Sequence, residues 1–304
     1  MKMRMLMLVL SAGLVTGIVQ AQTAVSQDRS DEEMKLMAIN GLREAEPSVA
    51  VPQLEKVLAG NSSIELKRKA LAVLAEMDSA AAREELGRIA RGQAAPGLQV
   101  EAIRRLGNEG GADNLKILSE IYDSTSDTAI KRQILSAFRN ADDSARLLNA
   151  AKNEKSAELR GEAIRNLGQT DDTQGLEQLY QTETDPAIKA QIIHAFGQSD
   201  NSRAIGQIAK TDASPEMRRL AIHQLGTMDA DASGKALQEI YGTEKDSTVR
   251  REILHSLATQ DNAKVLVELA KKETNVDLKK YAVEQLSHMD SKEATDYLMS
   301  LLNQ

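Results

Sequence analysis

Three of the four histidines, His194, His223 and His255, recur at intervals of 29 and 32 residues. Imidazole can ligate a metal, move a proton, or gain charge in mild acid. The first two sit in related phrases, "IIHAFGQSDN" (192–201) and "AIHQLGTMDA" (221–230). "AIRNLGQTDD" (163–172) puts Arg165 in the same place, and Arg104 holds it further upstream. Four residues before that place, other copies carry Arg132, Arg219 and Arg251. These eight residues, Arg104, Arg132, Arg165, His194, Arg219, His223, Arg251 and His255, are the candidate partner-binding set. A basic or titratable strip on an acidic chain would receive an acidic peptide or another anionic ligand. Ordinary surface charge, paired in part with Glu101, Glu162 and Glu252, accounts for the same residues equally well.

The other chemistries have no carriers. There is no P-loop, GxGxxG, GxSxG or HExxH motif. Cysteine is absent, which excludes thiol catalysis and cysteine-based zinc sites. Neighbouring helix pairs in a stack lie about 10 Å apart. Two imidazoles binding one zinc must each come within about 2.1 Å of it, so the histidines do not form a metal site. Asp142-Asp143 and Asp171-Asp172 read as helix caps rather than an acid–base pair. No catalytic residue, metal or cofactor is assigned, and the expectation is a non-enzyme. A net charge of −7 and very few aromatic rings exclude nucleic-acid binding.

The start has its own character. "MKMRMLMLVLSAGLVTGIVQAQ" places Lys2 and Arg4 before an apolar stretch and ends it at Val19-Gln20-Ala21. That is the layout of a secretory signal peptide cleaved after Ala21. Residues 1–21 are read as the signal, 22–30 as a flexible leader and 31–304 as a repeat domain. Cleavage would remove two cations and leave a formal charge of −9. No later segment is apolar enough to stay in a bilayer. The expected location is periplasmic or secreted.

What must position the candidate residues is legible in columns. Taking the last large apolar residue of each phrase as an anchor gives Leu42, Leu74, Leu106, Phe138, Leu167, Phe196, Leu225, Leu257 and Leu286. The spacings are 29 or 32 residues throughout, the mark of a repeat architecture. Apolar residues stand eight, four and three positions before nearly every anchor, one stripe of an α-helix. Eleven before the anchor are Asp31, Ser63, Ala95, Asp127, Ser156, Asp185, Ser214, Asp246 and Asn275, all but Ala95 good N-caps. Gly107, Gly168, Gly197 and Gly226 follow the anchor, as a helix C-terminus prefers. Four after the anchor, Asp78, Asp142, Asp171, Asp200, Asp229, Asp261 and Asp290 read as caps of a second helix. Each unit is two short helices that cannot bury their apolar sides alone.

"DPAIKAQIIHAFGQSD" (185–200) and "SPEMRRLAIHQLGTMD" (214–229) resemble HEAT repeats, especially the short HEAT-like repeats of phycobilin lyases. The family's basic position, seven before the anchor, holds Lys or Arg in every copy except at Gln99. The resemblance spans about residues 31–302. It implies an all-α fold, an α-solenoid of about nine stacked helix pairs in a right-handed superhelix. It also implies that the helix bearing the phrase lines the concave side. Some HEAT-like enzymes hold iron through His-Glu pairs, and no histidine here precedes a glutamate. The resemblance suggests an exported scaffold binding a protein or peptide along its concave face. The alternative is an enzyme accessory or lyase-like protein acting on a small ligand. Binding is expected to tighten as imidazoles charge in mild acid. Tyr122, Tyr180 and Tyr241, ending the second helix of alternate copies, read as edge packing with hydroxyls in water.

Overall fold

A computed structural model describes residues 29–170 and 172–303. The expected signal peptide, and residues 22–28 of the expected leader, lie outside them. Among the described residues the chain is helical, with no strand. Helices alternate as first and second members of each pair. They are α1 (29–41), α2 (Pro47–Ala59), α3 (Ile64–Glu76), α4 (Ala80–Ala90), α5 (Gln99–Glu109), α6 (Ala112–Ser124) and α7 (Thr128–Asn140). There follow α8 (Ser144–Asn153), α9 (Ala157–Leu167), α10 (Thr173–Thr182), α11 (Pro186–Gln198), α12 (Ser202–Thr211) and α13 (Pro215–Gly226). The last are α14 (Ala230–Thr243), α15 (Ser247–Thr259), α16 (Ala263–Lys272), α17 (Val276–Ser287) and α18 (Lys292–Leu302). Residues 29 and 30, placed above in the leader, are helical. The chain forms two compact units, the first ending at Ala137 and the second beginning at Phe138.

Within both units helices pack on their neighbours in sequence and on the equivalent helix of the next pair, as α3 does on α5, α4 on α6, α11 on α13 and α13 on α15. In the second unit the first helices form one layer (α9, α11, α13, α15, α17), while on the other side α8 packs on α10, and α12, α14, α16 and α18 pack in succession. The anchors from Leu74 to Leu286 are buried, as are the alanines and isoleucines four residues before them. Small side chains at that column let neighbouring backbones approach, so dispersion and exclusion of water replace large rings. The first copy departs. Met34 is 57% exposed, while its counterparts from Leu66 to Leu278 are buried. Among the described residues no copy precedes it to cover that position.

The caps correct the sequence reading in three ways. Ser63, Asp127, Ser156, Asp185, Ser214, Asp246 and Asn275 do accept bonds from the first-turn N–H groups. Asp31 instead lies inside α1. Six of the second helices are capped one residue later than expected, by Ser79, Asp143, Asp172, Asn201, Asn262 and Ser291, whereas α14 starts at Ala230, directly after Asp229, where the sequence reading placed its cap. The aspartate before the cap does a different job in three copies. Asp142, Asp200 and Asp261 have φ of 53°, 52° and 55°, the left-handed region that Asp tolerates better than most residues. There the next residue's N–H returns to the anchor carbonyl, Asn262 to Leu257 at 2.9 Å for example. One residue thereby closes one helix as a Schellman turn and caps the next.

The glycines after the anchors are not left-handed caps. None of the four has positive φ. They are close-approach sites. A Cβ on Gly107 would lie 2.4 Å from the Cβ of Ala137, and one on Gly168 would lie 2.7 Å from that of Ala195. Gly226 faces Ser256 in the same way. The residue after one anchor thus packs on the residue before the next.

Candidate functional site

The second unit brings five of the eight candidate residues to two recesses on its first-helix layer. One, of about 720 Å³, runs over α11, α13 and α15 and is lined by Arg219, His223 and His255, with Glu216, Leu220 and Glu252. The other, about 520 Å³, is lined by Arg165 and His194 with Gln191, Gln198 and Gln224. The three histidines are exposed on one layer. Each is held by the following pair. His194 Nδ1 lies 3.1 Å from the Gln224 amide, His223 Nδ1 3.2 Å from Glu252, and His255 Nδ1 3.5 Å from the Tyr281 hydroxyl. Among the described residues no three His, Asp or Glu side chains converge as metal ligands would.

The charge is less one-sided than the column suggests. Arg165 pairs with Glu162 at 2.5 Å, and Glu252 offsets His223. Arg251 stacks on the Tyr281 ring at 4.1 Å, beside the recess rather than in it. Arg219 pairs with no carboxylate among the described residues and is exposed in the larger recess. Arg104 and Arg132 belong to the first unit. There Glu101 gathers three guanidiniums, Arg68 at 3.6 Å, Arg104 at 3.4 Å and Arg105 at 3.5 Å. Column reasoning missed Gln191 and Gln224. They stand five and one before their anchors, and the same tabulation of those columns would have found them.

The largest departure concerns the tyrosines. Tyr180 and Tyr241 are 8% and 4% exposed, and their hydroxyls are not in water. Tyr180 donates to Asp212 at 2.7 Å, and Tyr241 donates to Glu273. The family's basic column completes each set. Lys189 lies 4.7 Å over the Tyr180 ring and 3.5 Å from Asp212. Arg250 lies 4.2 Å over the Tyr241 ring and 2.7 Å from Glu273. In three copies without the tyrosine, the same column caps the preceding helix. Gln99 donates to the Ala90 carbonyl at 3.1 Å, Arg160 to Glu154 at 3.2 Å and Arg218 to Asp212 at 2.9 Å. Gln99 therefore keeps the hydrogen bond without the charge.

The acids form a column of their own, thirteen before the anchor: Glu154, Glu183, Asp212, Glu244 and Glu273. Each follows a second helix and accepts the N–H of the next N-cap residue, at 2.7 to 3.4 Å. Burial works to raise the carboxyls of Asp212, Glu244 and Glu273. Hydrogen bonds from Tyr180, Arg218 and Tyr241 respectively, with backbone N–H groups and the nearby cations, hold all three below the usual range. Burial and the same carboxylates push both tyrosines far above their ordinary value. These are structural clasps between pairs.

The fold and the site together define an all-α solenoid whose layers carry polar recesses. A family model for HEAT repeats matches residues 51–139, which supports a HEAT-repeat family. No curated protein matches the chain. Among solved structures, human deoxyhypusine hydroxylase in complex with glycerol aligns over 78% of this chain and 94% of its own, at 13% identity and a TM-score of 0.34. A chain from "Computational Design of Self-Assembling Cyclic Protein Homooligomers" aligns over 90% and 99%, at 15% identity and a TM-score of 0.14. Likenesses at these scores bear on neither fold nor function.

Proposed function

We propose that this protein is an exported, non-catalytic scaffold that holds an acidic protein segment along the first-helix layer of its second unit. The observation that carries the reading is Arg219. It stands in an open recess of about 720 Å³ with two histidines and has no carboxylate of its own among the described residues. A partner carboxylate would be its natural complement, and a guanidinium offers two parallel donors for one. The adjoining polar amides of Gln191 and Gln224 suit a peptide backbone. HEAT repeats commonly mediate protein interaction, and among the described residues no helix is long and apolar enough to cross a membrane. Export rests on the character of residues 1–21.

The test is a titration with an acetylated Glu-Ala alternating octapeptide, followed by anisotropy. The wild-type protein binds it and Arg219→Ala weakens binding by about tenfold, the scale of one charged hydrogen-bonded contact. Equal affinity for the variant, or for a Lys-Ala octapeptide, overturns the reading. Mass spectrometry of the protein from the bacterial envelope tests export separately. An N-terminus at Gln22 supports it, and an intact Met1 in the cytoplasm sinks it.

A further inference from the structure

The larger first-helix recess has two unlike sides. α13 and α15 supply its charge, with Glu216, Arg219, His223, Glu252 and His255. α11 supplies Pro186, Ala187 and Ala190, and no charge at all. Pro186 and Ala187 are exposed, while Ala190 and Leu220 of α13 are half-buried. Apolar surface therefore faces water beside a guanidinium that no carboxylate matches among the described residues. Of the two acids nearest to it, Glu252 is engaged by His223 at 3.2 Å.

The repeat does not dictate the bare side. Ala187 and Ala190 stand nine and six before their anchor. The other helices of that layer carry Glu158 and Gly161, Glu216 and Arg219, Thr248 and Arg251, and Asp277 and Lys280 at those places. α11 alone has no polar side chain at either. Leu220 stands five before its anchor, where the copies from Leu74 to Leu257 otherwise carry Lys69, Glu101, Gln133, Glu162, Gln191 and Glu252. The one aliphatic side chain in that stretch of the column thus lies in the recess that also holds the bare side.

We propose that this recess reads an acidic residue and an aliphatic one together, two residues apart on one face of an extended segment. This narrows the acidic-segment reading, on which it rests. In an extended chain, residues i and i+2 point to one side about 7 Å apart. Neighbouring helices lie about 10 Å apart, and the long Arg219 side chain spans the difference. The carboxylate meets Arg219, while the aliphatic group covers Leu220, Ala187 and Ala190. Charge selects acidic segments in general, and the apolar contact selects among them.

The experiment uses the intact protein and the anisotropy of labelled peptides. The probe is acetylated, amidated Gly-Leu-Gly-Glu-Gly-Leu-Gly-Glu. In one comparator serine replaces both leucines, and in the other glutamine replaces both glutamates. The wild type should bind the probe about tenfold more tightly than the serine peptide, the scale of one largely covered leucine. Leu220→Gln installs the residue of the preceding copy and should bring those two affinities within about twofold of each other. If that variant does not fold, Ala190→Gln, which fills the bare side from α11, supplies the same comparison. A serine peptide bound as tightly as the probe overturns the proposal and leaves the acidic-segment reading standing. So does an undiminished leucine preference in a folded variant. A glutamine peptide bound as tightly as the probe overturns the acidic-segment reading itself, and this inference with it.

Discussion

The Tyr180 hydroxyl donates to Asp212 at 2.7 Å, across 32 residues of sequence and between two successive second helices. Tyr241 and Glu273 repeat the relationship at the same separation. Each bond ties one helix pair to the next at a point the apolar stripe does not reach. Both acids also accept the N–H of the next N-cap residue, so the clasp sets where the following helix starts.

Acid should loosen these clasps in a definite direction. The folded carboxyls of Asp212, Glu244 and Glu273 are lowered, so the folded state holds fewer protons than the unfolded one in this range. Their stabilisation is therefore complete above the ordinary carboxylate range of about 4 and declines as pH falls through and below it. Urea unfolding of the wild type and of Glu273→Gln, run at descending pH from neutrality, checks this. The wild type should lose more stability than the variant, and parallel curves would contradict the assignment.

Removing the buried acid outright should be expensive at neutral pH. The Glu273 side chain is 1% exposed and faces Arg250 and Tyr241. Glu273→Ala strands a guanidinium and a phenol, a class of change that costs about 3–5 kcal/mol. Glu273→Ala combined with Arg250→Met should recover part of that loss, read as the denaturant midpoint.

Two glycine substitutions should move stability in opposite senses. Gly107→Ala drives a methyl into Ala137, with 2.4 Å between the two Cβ positions, and overpacking of this kind costs about 1–3 kcal/mol. Gly206, within α12, has nothing within 4 Å of its would-be Cβ, so Gly206→Ala gains up to about 1 kcal/mol of helix propensity. Thermal unfolding separates the two. A stabilised Gly107→Ala would remove the close-approach account.

The left-handed aspartates make a further check on stability. At φ of 55°, Asp261→Gly should be neutral or stabilising, while Asp261→Val should cost about 1–2 kcal/mol. If both variants unfold at the same denaturant concentration, the turn carries no backbone strain.

The repeat, the helix pairing and the buried stripe were legible in order and spacing alone. Packing of identical elements imposes the same apolar column on every copy, so Leu106, Leu167 and Leu225 announce one another. Caps were legible where a single local hydrogen bond decides them, as at Ser63 and Asp246. Where two local solutions compete, geometry chose between them. An aspartate can cap or can turn left-handed, and Asp261 turns while Asn262 caps. A glycine can end a helix or admit a neighbour, and Gly107 admits Ala137. Tyr180, Lys189 and Asp212 come from two helices and from the turn after a third, brought together only when the pairs stack. Contacts of this kind acquire meaning only after the backbone has placed the side chains face to face, which no local spacing encodes.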